Sequence, residues 1–109
     1  MRTVELSENV LRLLEEPFLG EGDLNSKLYN LLRAEYLRRL NHYRRIDYRL
    51  RQKYGMSFEE FVDREVVKER GYTWEVETDA MEWETAVSAI KTIERKLQEL
   101  KGTSDANEG

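Results

Sequence analysis

The stretch from Asp23 to Tyr54 constrains this chain most, because Leu24, Leu28, Leu32, Tyr36, Leu40, Tyr43, Ile46, Leu50 and Tyr54 recur every three or four residues. That spacing predicts a helix. At 100° per residue these side chains fall within an arc of roughly 160°, and Arg33, Arg38, Arg44, Arg45, Arg49, Arg51 and Lys53 occupy the rest of the circumference. Asp23 suits an N-cap and Gly55 a C′ position, so the helix would run for about 30 residues and roughly 45 Å. A compact domain of 109 residues does not cover such a helix unaided. The expectation is a mainly all-α fold, a helical bundle around one long central helix.

Composition agrees. Charged residues make up 37% of the chain, hydrophobic ones 39%, and Gly and Pro are few, which suits long helices with a modest core. The absence of Cys excludes disulfides, thiol nucleophiles and thiolate metal sites and fits a reducing cytoplasm. Met1 to Leu6 lacks the apolar region of a signal peptide and no run of about 18 apolar residues occurs, so the expected location is cytoplasmic with no membrane partner.

Charge is segregated along the chain. From Arg33 to Lys53 eight basic residues face Glu35 and Asp47, a balance of +6, whereas Ser57 to Gly109 carries fourteen acidic and seven basic residues, a balance of −7. Either the acidic half folds back on the basic helix through weak surface pairs, or one of the two surfaces serves a partner of opposite charge.

Ahead of the long helix, Thr3, Val4, Glu5 and Leu6 alternate in a way that allows a short strand, and Ser7 can cap a short helix through Val10, Leu11, Leu13 and Leu14. Pro17 and the Phe18-Leu19-Gly20-Glu21-Gly22 loop must end that helix. This order resembles the ribbon-helix-helix fold of small prokaryotic repressors and antitoxins over about the first 40 residues, which would place Arg2 or Thr3 and Glu5 toward the DNA major groove. A carboxylate facing DNA is a poor choice, and a terminal arm packed on the core explains the segment equally well.

Beyond Gly55, Ser57 is an N-cap, Glu60 completes a capping box, and Met56 can staple onto Phe61. The helix expected over 57–70 buries Phe58, Phe61, Val62, Val66 and Val67 and stops at Gly71. Tyr72 to Glu77 alternates like an extended connector, and Asp79 or Thr78 would cap a last helix over 79–101. In that helix Trp83, Ile90 and Leu97, and likewise Ala86, Ile93 and Leu100, repeat every seven residues. Such a seam must lie on the long helix or on another chain. The expected organisation is one helical domain over 1–101, with an arm and short helix over 1–22, the long helix over 23–54 and a disordered tail over 102–109.

Catalytic signatures are missing. His42 is the lone imidazole, and pairs such as Glu59 with Asp63 are ordinary solvated groups. No phosphate-binding glycine loop, nucleophile elbow or dinucleotide fingerprint occurs, so neither enzyme activity nor a cofactor or metal is expected. Two stretches suit recognition. In the arginine face, Tyr36, Tyr43, Tyr48 and Tyr54 could stack on bases while guanidinium groups hold phosphates, although core packing explains most of these rings. In the segment Tyr72 to Glu84, Tyr72, Trp74, Met81 and Trp83 are interleaved with Glu75, Glu77, Asp79, Glu82 and Glu84. Aromatic anchors rimmed by carboxylates suit a basic protein partner.

The residues Lys53-Tyr54-Gly55-Met56-Ser57-Phe58-Glu59-Glu60-Phe61, followed by Asp79-Ala80-Met81-Glu82-Trp83-Glu84, carry a resemblance. They resemble a pattern found in small helical bacterial and archaeal antitoxin-like proteins, many encoded beside ribonuclease-type toxins. The resemblance covers roughly the C-terminal half and implies a non-catalytic protein that wraps a basic, ribonuclease-type toxin and often oligomerises. The long basic helix and the heptad-like end depart from that pattern and favour dimerisation.

The first reading is therefore an antitoxin-like protein-binding module. Its partner contacts would be Tyr72, Trp74, Glu75, Glu77, Met81, Glu82, Trp83 and Glu84. Its homodimer contacts would be Val10, Leu13, Leu14, Leu24, Leu28 and Leu32. The alternatives are a structural or adaptor homo-oligomer and, next, a nucleic-acid-binding regulator. The module reading prefers at least one of Trp74 and Trp83 on the surface, and the adaptor reading expects both to be deeply buried.

Overall fold

The computed structural model describes residues 3–108, with side chains for 3–102. It is helical: α1 (Glu8–Glu15), a 3₁₀ turn (Pro17–Leu19), α2 (Leu24–Tyr54), α3 (Phe58–Asp63), α4 (Val66–Glu69) and α5 (Trp74–Glu108). The mainly all-α expectation holds, with α2 as the long central helix. Residues 3–7 are irregular, and no strand occurs among the described residues, so the short N-terminal strand does not form there. Arg2 lies outside them. No helix among them is long and apolar enough to cross a membrane.

The chain divides into two compact units, Met1–Glu35 and Tyr36–Gly109, and the division falls inside α2. In the smaller unit, the Val10 amide donates to Ser7 Oγ at 3.2 Å, the N-cap contact expected from its residue type. Pro17 opens the 3₁₀ turn that ends α1, and Gly20 closes it with its amide on the Pro17 carbonyl at φ +98°. The Ser26 amide donates to Asp23 Oδ1 at 2.8 Å and starts α2; this bond, with a further one from the Ser26 side chain, holds the Asp23 carboxyl below its ordinary value. Among the described residues of this unit Leu14 is the buried apolar side chain, and Lys27, also buried, donates from Nζ to the Glu16 carbonyl.

In the larger unit, Gly55 takes a positive φ, and its amide still donates to the Arg51 carbonyl as α2 ends. Ser57 Oγ then accepts from the Glu60 amide, the first half of the expected capping box. The single helix expected over 57–70 is broken: Glu65 adopts a left-handed conformation at φ +51° between α3 and α4. A continuous helix would set Phe61 and Val66 about 140° apart around its axis. The break lets both point into one core at a backbone strain of roughly 1–2 kcal/mol. Gly71 and Tyr72 close α4 with amides on the Lys68 and Val67 carbonyls, a Schellman pair.

The start of α5 corrects the extended connector expected over 72–77. Thr73 is its N-cap, with Oγ1 accepting from the Val76 amide, and Val76 is thereby turned into the core. Asp79 and Thr78 lie inside the helix and do not cap it. The helix also continues past Gly102 into the expected disordered tail, where side chains 103–109 are outside the described residues. Of the heptad seam, Trp83, Ala86 and Ile93 are buried and Ile90, Leu97 and Leu100 half-buried.

Leu50, Tyr54, Phe61, Val66, Val76 and Trp83 form the core of this unit. Trp83 is at its centre, with ring centroids 5.0 Å from Phe61, 5.4 Å from Phe58 and 6.0 Å from Tyr54. Aromatic contacts at such spacings add to the gain from burial itself.

Candidate functional site

Within the larger unit, α2 and α5 run antiparallel and are joined by a ladder of polar contacts. Lys53 donates to Glu75 and Asp79, Arg49 to Glu82, and Arg44 to Glu94. Most of these side chains are exposed, so each pair contributes little. Two contacts reach inward. Trp83 Nε1 donates to Asp47 Oδ1 at 2.8 Å, and Tyr54 OH donates to Asp79 Oδ2 at 2.6 Å.

Asp79 is the polar hub, since Lys53 Nζ donates to the same oxygen at 2.6 Å. Burial alone would raise its carboxyl, but hydrogen bonds from Lys53 and Tyr54, together with the charges of Lys53 and Arg49, hold it below its ordinary 3.8. Burial and the Asp79 hydrogen bond push the Tyr54 hydroxyl up to about 12, and hydrogen bonds to Asp79 and Glu75 hold Lys53 above its ordinary range. The signs follow. A lowered acid contributes stability that is present above pH 3.8 and lost as pH falls through its folded value. The raised Tyr54 and Lys53 contribute stability that is present below their ordinary 10.0 and 10.5 and lost at higher pH. The hub therefore holds fully between about pH 4 and 10. Asp79→Ala is expected to cost about 1–3 kcal/mol at pH 7 and to flatten the fall in melting temperature below pH 4, measured by circular dichroism. An unchanged acid profile would remove Asp79 from this role.

The eight partner-contact candidates separate into four groups. Trp83 is fully buried in the core and is withdrawn from the surface set. Glu75 and Glu82 point to the basic residues of α2. Tyr72 and Glu84 line a hollow against α3 and α4. Trp74, Glu77 and Met81 remain on the outward face of α5, with Trp74 82% and Met81 71% exposed. Seven residues apart, these two stand on the same side of the helix. Thr78 and Thr85 share that side and, with Met81, border a hollow of about 360 Å³ toward α2, closed by Tyr43, Ile46 and Glu82. Glu77 forms no ion pair among the described residues.

Of the dimer candidates in the smaller unit, Leu14 is buried and Leu24 half-buried, whereas Val10, Leu13, Leu28 and Leu32 are exposed, Leu32 by 50%. Leu31, which falls outside the expected stripe, joins them at the surface. On α2, Asn41, Arg44, Arg45 and exposed Tyr48 frame a basic hollow. His42 lies edge-on to Tyr43 at 5.1 Å. Asp47 and the Tyr54–Asp79–Lys53 hub have no counterpart in the sequence reading, because the partners lie 25 to 36 residues apart. Comparison of the chain with known protein families, curated proteins and solved structures finds no match.

Proposed function

We propose that this chain is a non-catalytic, antitoxin-like protein-binding module that neutralises a basic partner such as a ribonuclease toxin. The observation that carries the reading is Trp74: a tryptophan 82% exposed on a well-formed helix, two turns from exposed Met81 and flanked by Glu77. Large aromatic side chains left in water beside acids suit a contact surface, since aromatic anchors dominate interface energetics and acids steer a basic protein inward. The motif resemblance over 53–61 and 79–84 supports the same reading.

The test is capture from the native host on the immobilised chain, with recovered proteins identified by mass spectrometry. A basic protein should be retained by the wild type, and Trp74→Ala with Met81→Ala should weaken it by about 30-fold or more, the effect of losing an aromatic hot spot. Recovery of no basic protein, or equal retention by the double variant, overturns the proposal.

The adaptor reading draws support from the ladder between α2 and α5, in which the acidic half pairs with the basic helix. It leaves Trp74 and Met81 in water without a use. The smaller unit adds self-association to the proposal. A unit of this size seldom holds a core alone, and its exposed Val10, Leu13, Leu28, Leu31 and Leu32 need cover. A second copy offers the same apolar surface in an isologous contact, the commonest closed assembly.

A further inference from the structure

A second concave surface lies on the α3 side of α5. Phe58 and Val87 form the floor of a groove of about 550 Å³ and rest directly on the aromatic core, and Val62 lines its edge. Two smaller hollows adjoin it. One shares Phe58, Val62 and Glu84 and reaches Ala80; the other shares Phe58, Val87 and Lys91 and reaches Glu94. Ala80, Glu84, Val87, Lys91 and Glu94 follow at steps of four, three, four and three along α5, so the hollows share one helix face. From residue 80 to residue 94 that face is about 21 Å long.

The rim is acidic. Glu59, Asp63 and Glu84 stand around the groove and form no ion pair among the described residues; Lys91 lines it as well, and of the adjoining hollows one is lined by Lys68 and the other by Arg51, which pairs with Asp47. Val62, an apolar side chain 54% exposed on α3, projects at the opening. A face four helical turns long, apolar where Ala80 and Val87 meet Phe58 and Val62 and edged by the carboxylates of Glu59, Asp63 and Glu84, has the dimensions and charge for one kind of occupant. We propose that this trough seats an amphipathic helix of about 14 residues, with an apolar stripe inward and Lys or Arg along both flanks. The proposal rests on the protein-binding reading and specifies the partner's docking element. Trp74 and Met81, on the outward face of α5, would then meet a different part of that partner.

The test uses the isotope-labelled full chain and two synthetic 14-residue helical peptides with the same leucine stripe, one carrying lysine at the remaining positions and the other glutamate. On titration, the lysine peptide should shift the amide resonances of Val62, Glu84 and Val87, with a dissociation constant of about 10–100 μM that weakens steeply with salt. Glu59→Gln, Asp63→Asn and Glu84→Gln combined should weaken it about tenfold or more. Val62→Arg, a change at an exposed position, should do the same without altering the fold. Equal binding of the glutamate peptide overturns the proposal, as does the absence of shifts at the trough. Shifts at Trp74 and Met81 alone also overturn it, yet leave the binding-module reading standing. The same resonance shifts on concentrating the chain by itself would assign the trough to a second copy and overturn it as well. Host capture of a basic protein through Trp74 and Met81, with no peptide binding at the trough, would sink this inference alone.

Discussion

Trp83→Ala is expected to destabilise the chain by about 3–5 kcal/mol, a large part of the 5–15 kcal/mol that holds a typical domain together. Trp83 is fully buried and touches the rings of Tyr54, Phe58 and Phe61, so the substitution removes the centre of the aromatic core and leaves a cavity. It also strips Asp47 Oδ1 of the indole donor, although Arg51 Nε, 3.3 Å from Oδ2, limits that part of the loss. Urea denaturation followed by circular dichroism measures the effect, with Trp83→Phe as the companion. Phenylalanine keeps much of the ring packing and loses the N–H, so it should fall between the wild type and alanine. A loss below about 1 kcal/mol for alanine would mean that Trp83 is not the centre of the core.

Leu28→Glu with Leu32→Glu should convert a dimer into monomers. Leu28 is 37% and Leu32 50% exposed within the chain, so a lone chain loses only part of their burial when they become glutamates. In a dimer they would meet the partner's apolar face, and each carboxylate would be buried without a counter-charge at a cost of several kcal/mol. Sedimentation velocity separates the cases: the wild type at twice the chain mass, the double variant at the chain mass with its helical spectrum retained. The aromatic core holds neither substituted position. A double variant that sediments and melts like the wild type would place the interface elsewhere.

Several features of this structure were legible because their chemistry is local. The start of α2 at Asp23, its end at Gly55, the Ser7 cap and the Ser57 cap each depend on a side chain or a backbone twist within four residues of the amide involved. No distant group competes for those hydrogen bonds, so residue type and spacing settle them. The apolar period of α2 belongs to the same class, and Leu40, Leu50 and Tyr54 are buried where the stripe places them.

Other choices were degenerate in the sequence. Tyr72, Trp74 and Val76 alternate like a strand, yet Thr73 caps a helix, and the burial of Val76 against the core selects the helix. Asp79 has the residue type of a cap, but Tyr54 and Lys53 reach it from α2, and an aspartate with two donors across an interface serves better inside the helix than at its end. The break at Glu65 has no marker, because the strain is offset only once Phe61 and Val66 share a core. Trp74 and Trp83 are alike in type and in acidic surroundings, and nine positions on an ideal helix put them half a turn apart. Once both lie on one helix they face opposite sides, and in the structure Trp83 is core and Trp74 surface. Which was which depended on the side of α5 that met Leu50, Tyr54 and Phe61, and only the packing of helices distant in the chain decides that.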